Sequence, residues 1–328
     1  GDDRSADSEL TASADLFATL KQGRGEWSLY IEASSSPNSN SISAFYPTVN
    51  GDAGSVLTAG GGGGIQVSEF NYTFFLEDDR SLMLGLIDPS AWLDRGRIAN
   101  DENNHFLNGS FVNNATIAFP DYTLGAVFRV PGSNRQPEVT VVISGSDGIA
   151  DTPDRSYQDL LDLNEDGRGV FLGSGVSWLT ESTSWRVGAW LRTDEQDVEG
   201  IMAGDETNYG VYGVYGFQSG ANAINIRAGV ANSDGSVADR FLAVAYQRET
   251  QFGLFGVGIA DTSIDSDLNG TGGDDALDSE IYFRIPVLNN TGHVTPSIQY
   301  VKVPTFDATN PASASSAIVA GMRFHWSF

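Results

Sequence analysis

Cysteine is absent from the sequence, and basic residues are scarce in it. Without cysteine the chain forms no disulfide bond. This is compatible with passage through an oxidising compartment, but it also fits many other proteins. Lysine and arginine together number 18, against 43 aspartate and glutamate residues, which gives a formal net charge of −25. Nucleic acid is excluded as a partner because phosphate backbones are bound by clustered basic residues, and neutral or cationic partners are favoured instead.

Long apolar runs are also missing. No stretch approaches the roughly 18 consecutive apolar residues that a membrane-spanning helix needs. The sequence does not open with a basic region followed by an apolar segment. We therefore expect any signal peptide to have been removed and residues 1–11 to form a short polar N-terminal segment. A secreted, a periplasmic and an outer-membrane location all fit these features.

Glycine and aromatic residues are abundant, and apolar and polar residues alternate along the chain. The 38 glycines and 11% aromatic residues, with only 19% charged residues, favour an all-β chain rich in turns over a helical one. The alternation is clearest at the C-terminus, where every second residue is apolar: Ile318, Ala320, Met322, Phe324, Trp326 and Phe328. The residues between them are mostly polar or small, so this segment is predicted to be a strand with two unlike faces.

Runs with this alternation recur along most of the sequence. They lie near 12–20, 26–35, 42–48, 65–77, 80–88, 122–130, 137–145, 170–180, 183–193, 209–219, 222–231, 239–248, 251–261, 279–286, 294–302 and 316–328. An even number of alternating segments of about ten residues is typical of a bacterial transmembrane barrel. The sequence therefore predicts an all-β fold, a transmembrane antiparallel β-barrel of about 16 strands that forms a single domain from 12 to 328.

The connections between the predicted strands support the barrel. Those after strands four, eight, ten and twelve are the tight turns EDDR, ESTS, SGAN and RETQ, whereas those after odd-numbered strands from the fifth onward are longer and rich in Asp, Asn, Gly and Ser. A soluble sandwich has no reason to sort its loops in this way, but a barrel has short periplasmic turns and long outer loops. Two connections near the N-terminus, KQGRG and SSPNSNS, do not follow the rule.

The longest connection, about 88–121 after the fifth predicted strand, carries a distinctive order of residues. It contains Asp88-Pro89, Asp94, Ala99-Asn100-Asp101-Glu102, Phe106-Leu107, Phe111-Val112-Asn113-Asn114 and Phe119-Pro120-Asp121. Together with the ending PSIQYVKVP…AIVAGMRFHWSF, this order resembles the carbohydrate-selective porin family typified by OprB. The resemblance implies a sixteen-stranded barrel of the bacterial outer membrane, through which sugars diffuse passively past a constriction loop that folds inward after strand five.

Several arginines lie at the alternate strand positions that are predicted to face the lumen. They are Arg129, Arg186, Arg227, Arg284 and Arg323, and the constriction loop is predicted to set Asp94, Arg95, Arg97, Asp101, Glu102, Asn103, Asn104 and His105 against them. Guanidinium groups donate to sugar hydroxyls or anions, and opposed charges across a narrow pore create a transverse field. Two alternatives stay open: each arginine pairs with an acid of a neighbouring strand, or Asp94 and Arg95 simply hold the loop against the wall.

One further motif concerns metal ions. Asp162, Asn164 and Asp166 alternate before Gly167, which is similar to the first half of a calcium-binding loop. The twelfth position from Asp162 is a glycine instead of a bidentate acid, so a calcium site and a solvated turn both remain open. We expect no required cofactor, and divalent ions would bridge acidic outer loops to lipopolysaccharide.

The predicted function is therefore an outer-membrane porin for carbohydrates and other small hydrophilic solutes. A homotrimer is expected because general porins of this size bury part of the wall against one another. The strong negative charge keeps open a general cation-favouring porin, and a barrel that serves as an adhesin is a third interpretation. His105, His293 and His325 are far apart in the sequence and lie in no nucleophile motif, so an enzyme is not expected.

Overall fold

A computed structural model of the chain contains one large antiparallel sheet and almost no helix. It describes residues 8–37, 41–52, 56–58, 60–98, 101–133, 136–151, 155–161, 168–194, 197–198, 201–202, 207–233, 235–236, 238–264, 275–303 and 315–328. Within these ranges no helix has the length and apolar character needed to cross a membrane.

The elements follow one another as strands with two single-turn helices among them. The strands are β1 Ser13–Gln22, β2 Gly25–Ser34, β3 Gly64–Phe75, β4 Ser81–Ile87, β5 Thr123–Val130, β6 Glu138–Gly145, β7 Val170–Leu179, β8 Thr183–Arg192, β9 Asp197–Val198, β10 Ile201–Met202, β11 Asn208–Ser219, β12 Asn222–Ala231, β13 Ala238–Thr250, β14 Gly253–Ile264, β15 Ala276–Val287, β16 Gly292–Val303 and β17 Ser315–Trp326. The helices are α1 Ile42–Phe45 and α2 Ser90–Leu93.

Fifteen of these strands form the sheet, each antiparallel to its neighbour in chain order. The two-residue strands β9 and β10 pair only with each other, and β8 therefore pairs with β11. β1 and β17 are the edges of the sheet, and they run in the same direction because they are the first and last of fifteen strands that alternate in direction. The predicted all-β antiparallel architecture is confirmed, and all but one of the predicted strands are present.

The third predicted strand, 42–48, is wrong. This segment forms α1, whose first turn is capped by the Ser41 side chain accepting from the Ala44 N–H at 3.2 Å, followed by a 3-10 turn at Pro47–Val49. Pro47 has no N–H to give to a strand ladder. The apolar residues that suggested a strand are buried against the wall instead, with Tyr46 and Val49 in contact with Val301.

Because 42–48 is not a strand, short and long connections alternate along the whole sheet. Those at one end of the sheet are short: 23–24, 76–80, 131–137, 180–182, 220–221, 251–252 and 288–291. Those at the other end are mostly longer: 35–63, 88–122, 146–169, 193–207, 232–237, 265–275 and 304–314. Gly23 and Gly220 lie at positive φ in two-residue turns, where a glycine is favoured. The constriction loop follows the fourth strand of the sheet, not the fifth as predicted.

The two faces of the sheet differ as the alternation predicts. On β17, Ile318 and Met322 are both 78% exposed on the outer face, whereas Arg323 on the inner face donates to the constriction loop. That loop reaches both edges of the sheet, because the Asn103 side chain also donates to Asp15 of β1 at 3.4 Å. The sheet therefore curves around the loop as a barrel wall, with an apolar outside and a polar inside.

The apolar outer face leads to a prediction about the stability of variants with a charged residue in the wall. Val244 lies midway along β13 on the outer face, opposite Ile226 and Ile259 of the neighbouring strands. We expect Val244→Arg to destabilise the barrel in lipid by about 2–4 kcal/mol, because the charge sits near the bilayer midplane. Phe252→Arg, in the exposed tight turn after β13, is the matched control and costs about 0–1 kcal/mol. Urea unfolding in liposomes measures both, and equal costs would contradict the assignment of the outer face to lipid.

Candidate functional site in the barrel lumen

The constriction loop is held to the inner wall by a buried ion pair. Arg227 of β12 donates through Nε to Asp94 Oδ1 at 3.2 Å and through its terminal nitrogen to Asp94 Oδ2. The same guanidinium donates to the Phe111 and Val112 carbonyls at 2.9 and 3.2 Å. Asp94 also accepts from the Asn114 N–H at 2.8 Å. Both side chains are almost fully buried, so this pair fixes both the start and the middle of the loop.

Two further predicted arginines belong to the same wall. Arg186 of β8 donates to the Trp92 and Leu93 carbonyls at 2.5 and 3.2 Å, and it lies 3.6 Å from Glu138. Arg129 of β5 forms its ion pair with the same carboxylate, that of Glu138 on the neighbouring strand β6. Arg186 thus binds loop carbonyls, while Arg129 is a wall residue satisfied by a neighbouring acid.

The other two arginines bind the tip of the loop. Arg323 of β17 donates to the Glu102 carbonyl and, at 2.9 Å, to the His105 carbonyl. Arg284 of β15 donates to the Asn104 carbonyl at 2.7 Å. Asp101 stays within the tip, where its carboxylate accepts from the Asn104 N–H at 2.8 Å. The tip is therefore held by main-chain carbonyls that accept from arginines of the wall.

Arg95 and Arg97 differ in their surroundings. Arg97 donates to the Thr180 carbonyl at 3.0 Å and to the Gln218 side chain at 3.3 Å, which ties the loop to the tight-turn end of β7 and β11. Arg95 is exposed, with its guanidinium 6.0 Å from the centre of the Trp92 ring. Of the two, Arg95 is the one whose charge is open to the lumen.

Acids of β15 that the sequence analysis did not select also hold the loop. Glu280 accepts from the Leu107 and Asn108 N–H groups at 3.2 and 2.8 Å, and Asp278 accepts from the Ser110 hydroxyl at 2.5 Å. Both are an even number of residues from Arg284 and therefore share its inner face of β15. This alternation could have identified them from the sequence. Glu280 thus binds main-chain N–H groups and Asp278 binds a hydroxyl, while the arginines bind carbonyls, so the wall satisfies both donors and acceptors of the loop.

A second group of acids faces the lumen without a basic partner. Asp15, Glu32 and Glu69 lie on β1–β3, Asp52 lies between β2 and β3, and Glu102 and Asp121 lie on the constriction loop. None of the six forms an ion pair within the described ranges. Burial, reinforced by Asp52, Asp101 and Asp15, raises the pKa of Glu102 to about 7. The inner face of β1–β3 and the adjoining part of the constriction loop are therefore rich in carboxyl groups.

Aromatic rings accompany these acids on the same wall. Phe17 and Tyr30 stack with centroids 4.2 Å apart, and Tyr122 meets Tyr30 edge-on at 6.3 Å. The Tyr30 hydroxyl donates to Asp15 at 3.1 Å. Rings beside carboxylates offer an apolar face together with hydrogen-bond acceptors.

The calcium motif cannot be placed in this geometry. Asp162, Asn164 and Asp166 lie outside the described residues. Among the residues that are described, no group of three or more histidine or acidic side chains is arranged to hold a metal ion. Calcium on the outer loops stays a prediction.

Solved structures with the same architecture identify the fold, although no protein-family model and no curated protein matches the sequence. OprB of Pseudomonas putida, solved at high pH, aligns with a TM-score of 0.71 and 16% identity over 97% of this chain and 88% of that chain. The outer membrane channel DcaP of Acinetobacter baumannii aligns with a TM-score of 0.60 and 11% identity over 96% and 84%. OmpF of Salmonella typhi, in complex with daunomycin, aligns with a TM-score of 0.60 and 11% identity over 99% and 93%.

These likenesses show that the chain has the fold of the outer-membrane porins. The resemblance to OprB-like porins that the sequence carries is confirmed in the architecture of the barrel. The predicted location in the bacterial outer membrane agrees with all three neighbours.

Loss of the buried ion pair is expected to destabilise the barrel strongly. We expect Arg227→Met to lower the free energy of unfolding by about 3–5 kcal/mol, because Asp94 is left buried without its partner. Arg80→Met is the matched control: its ion pair with Asp78 is exposed in a tight turn, and its loss costs less than about 1 kcal/mol. Urea unfolding of both variants in detergent measures the difference. An Arg227→Met protein as stable as the control would show that the pair does not anchor the loop.

Proposed function

We propose that the chain is a passive diffusion channel of the bacterial outer membrane for small hydrophilic solutes, carbohydrates among them, and that its ion flow favours cations. The observation that carries this proposal is the division of charge inside the barrel. The five predicted wall arginines are engaged by the loop or by Glu138, whereas the acids of β1–β3 form no ion pair among the residues that the structure describes.

This division changes the role proposed for the arginines. Arg227 is 1% exposed and Arg186 is 7% exposed, so they have almost no surface to offer a solute and act by positioning the loop. Arg129, Arg284 and Arg323 keep part of their surface and remain candidates for the solute path, together with Arg95 and the loop residues 101–105. Fixed charges of both signs still border the lumen, and such charges orient water and polar solutes in a narrow pore.

Carbohydrate passage is supported by two observations. The neighbour with a TM-score of 0.71 is OprB, and the wall that carries Tyr30 and Tyr122 combines aromatic faces with carboxylate acceptors. Sugar hydroxyls donate to such acceptors without requiring a charge on the solute. Neutral sugars would therefore pass the same acidic lumen that favours cations and disfavours anions.

The proposal also includes the oligomeric state of the barrel. The outer face exposes large apolar side chains such as Ile318, Met322 and Phe324, which suits contact with lipid or with another barrel. We retain the homotrimer, together with contacts to outer-membrane lipid and lipopolysaccharide, on this basis. Chemical cross-linking in native membranes would yield trimers, and a ladder that stops at the monomer would contradict this assembly.

The proposal predicts solute preferences. In planar bilayers under a KCl gradient, we expect a reversal potential of the sign that denotes cation selectivity. In liposome swelling, neutral sugars should enter faster than sugar acids of the same size, because the open acids repel anions. A protein without conductance would overturn the channel, and anion selectivity would overturn the proposed role of the acids.

Glu102 makes the selectivity dependent on pH. A carboxyl whose pKa is raised to about 7 is largely neutral at pH 6 and ionised at pH 8, so cation selectivity should increase between these values. Glu102→Gln should reduce this increase without abolishing it, because burial also raises the pKa of Asp121 to about 8. Glu77→Gln, which removes a carboxylate from an exposed tight turn, should keep it. Reversal potentials at both pH values provide the measurement, and a pH response in Glu102→Gln as large as that of the unchanged protein would assign it to another group.

A further inference from the structure

The three histidines of the chain, separated in sequence, meet near the tip of the constriction loop. His293 and His325 are direct partners in the pairing of β16 with β17, and both lie on the inner face. Their rings stack with centroids 4.9 Å apart and planes inclined by 24°. His105 belongs to the loop tip that Arg323 binds. Two of the three imidazoles thus form a facing pair on the lumen wall, close to the tight-turn end of the barrel.

The hydrogen bond of His293 sets which of its nitrogens is free. Its Nε2 lies 3.1 Å from the Asn103 carbonyl, and a carbonyl only accepts, so Nε2 carries the proton. The lone pair is therefore on Nδ1. Metal-binding histidines are commonly oriented in this way, with one ring N–H donated to a main-chain carbonyl and the other nitrogen left for the metal.

We propose that His293 and His325 form a two-imidazole binding site for a divalent transition-metal ion such as Zn²⁺ or Cu²⁺ in the lumen. Metal–nitrogen bonds of about 2.0–2.1 Å in a tetrahedral arrangement place the two nitrogens about 3.4 Å apart. The ring centroids are 4.9 Å apart on directly paired residues, and because imidazole lone pairs lie in the ring plane, binding requires the stacked side chains to rotate. Water completes the coordination, as expected where only two side chains bind the ion.

The surroundings suit a partly open site. Both imidazoles are half-buried on the lumen wall, so an ion can reach them. The Asp52 carboxylate is close enough to His325 to interact with it electrostatically, which offsets part of the ion's charge. Arg284 and Arg323 are also near, and because hydrogen bonds to neutral carbonyls do not cancel their charge, they weaken the binding of a cation. The neutral imidazole is the ligand that zinc and copper prefer among oxygen and nitrogen donors.

His105 is excluded from the site by its own contacts. Its Nδ1 is 2.6 Å from the Gln247 side-chain amide, which donates to it. Burial lowers the pKa of His105 to about 4, so the ring stays neutral and keeps this hydrogen bond at neutral pH. The residue is therefore a matched control, a third histidine in the same lumen whose removal leaves the pair intact.

The test is direct metal binding to the full chain in detergent at pH 7.5, purified without a histidine tag. The chain has no cysteine and only three histidines, so no thiolate competes. We expect equilibrium dialysis to show one Zn²⁺ per chain. His293→Gln and His325→Gln should each weaken binding at least tenfold, whereas His105→Gln should leave it unchanged. Equal weakening by all three variants, or unchanged binding in both pair variants, would overturn the site.

A second measurement uses the unchanged protein and therefore does not depend on whether the histidine variants fold. The electron paramagnetic resonance spectrum of the wild-type protein with one equivalent of Cu²⁺ should show coupling to two imidazole nitrogens. Coupling to one nitrogen or to none would overturn the proposal. Neither measurement relies on transport, so a protein that binds the ion without conducting would refute the proposed channel and leave the site standing.

Discussion

The arrangement of the lumen depends on the buried pair of Arg227 and Asp94. A buried ion pair recovers the cost of leaving water only when its remaining hydrogen-bonding groups are also satisfied. Here the guanidinium binds both carboxylate oxygens and two loop carbonyls, so the wall and the loop satisfy each other. A different loop conformation would leave a charge buried alone, and this constraint makes the loop part of the barrel core.

The same constraint determines which charges remain for solutes. Because arginines of β8, β12, β15 and β17 bind the loop, the side of the barrel that they occupy is filled with protein. The wall formed by β1–β3 carries acids and Tyr30 on its inner face. A chain with a large excess of acids thus uses its few basic residues for internal structure and leaves negative groups at the surface of the passage.

The strands could be predicted from the sequence because alternation over about ten residues is a local signal. It failed at 42–48, where the apolar residues pack inside a loop and Ser41 caps a helix. The inward position of the constriction loop followed from family resemblance, and the arginines were placed on the correct face by parity. Their partners could not be predicted, since Arg227 and Asp94 are 133 residues apart and Arg323 and Glu102 are 221 apart. The facing pair of histidines was missed for the same reason.

The contacts of the loop tip with both edges of the sheet also constrain the order of assembly. Asn103 binds Asp15 of β1, and the neighbouring Glu102 accepts from Arg323 of β17. Asp52, on the loop that contains α1, accepts from the Ser13 hydroxyl of β1, while Thr48 of the same loop donates to Asp278 of β15. Segments enclosed by a wall and bound to both of its edges cannot be threaded in afterwards. The last hairpin, β16 and β17, must therefore come together with β1 around loops that are already in place, which makes the interior of the barrel a template for its closure.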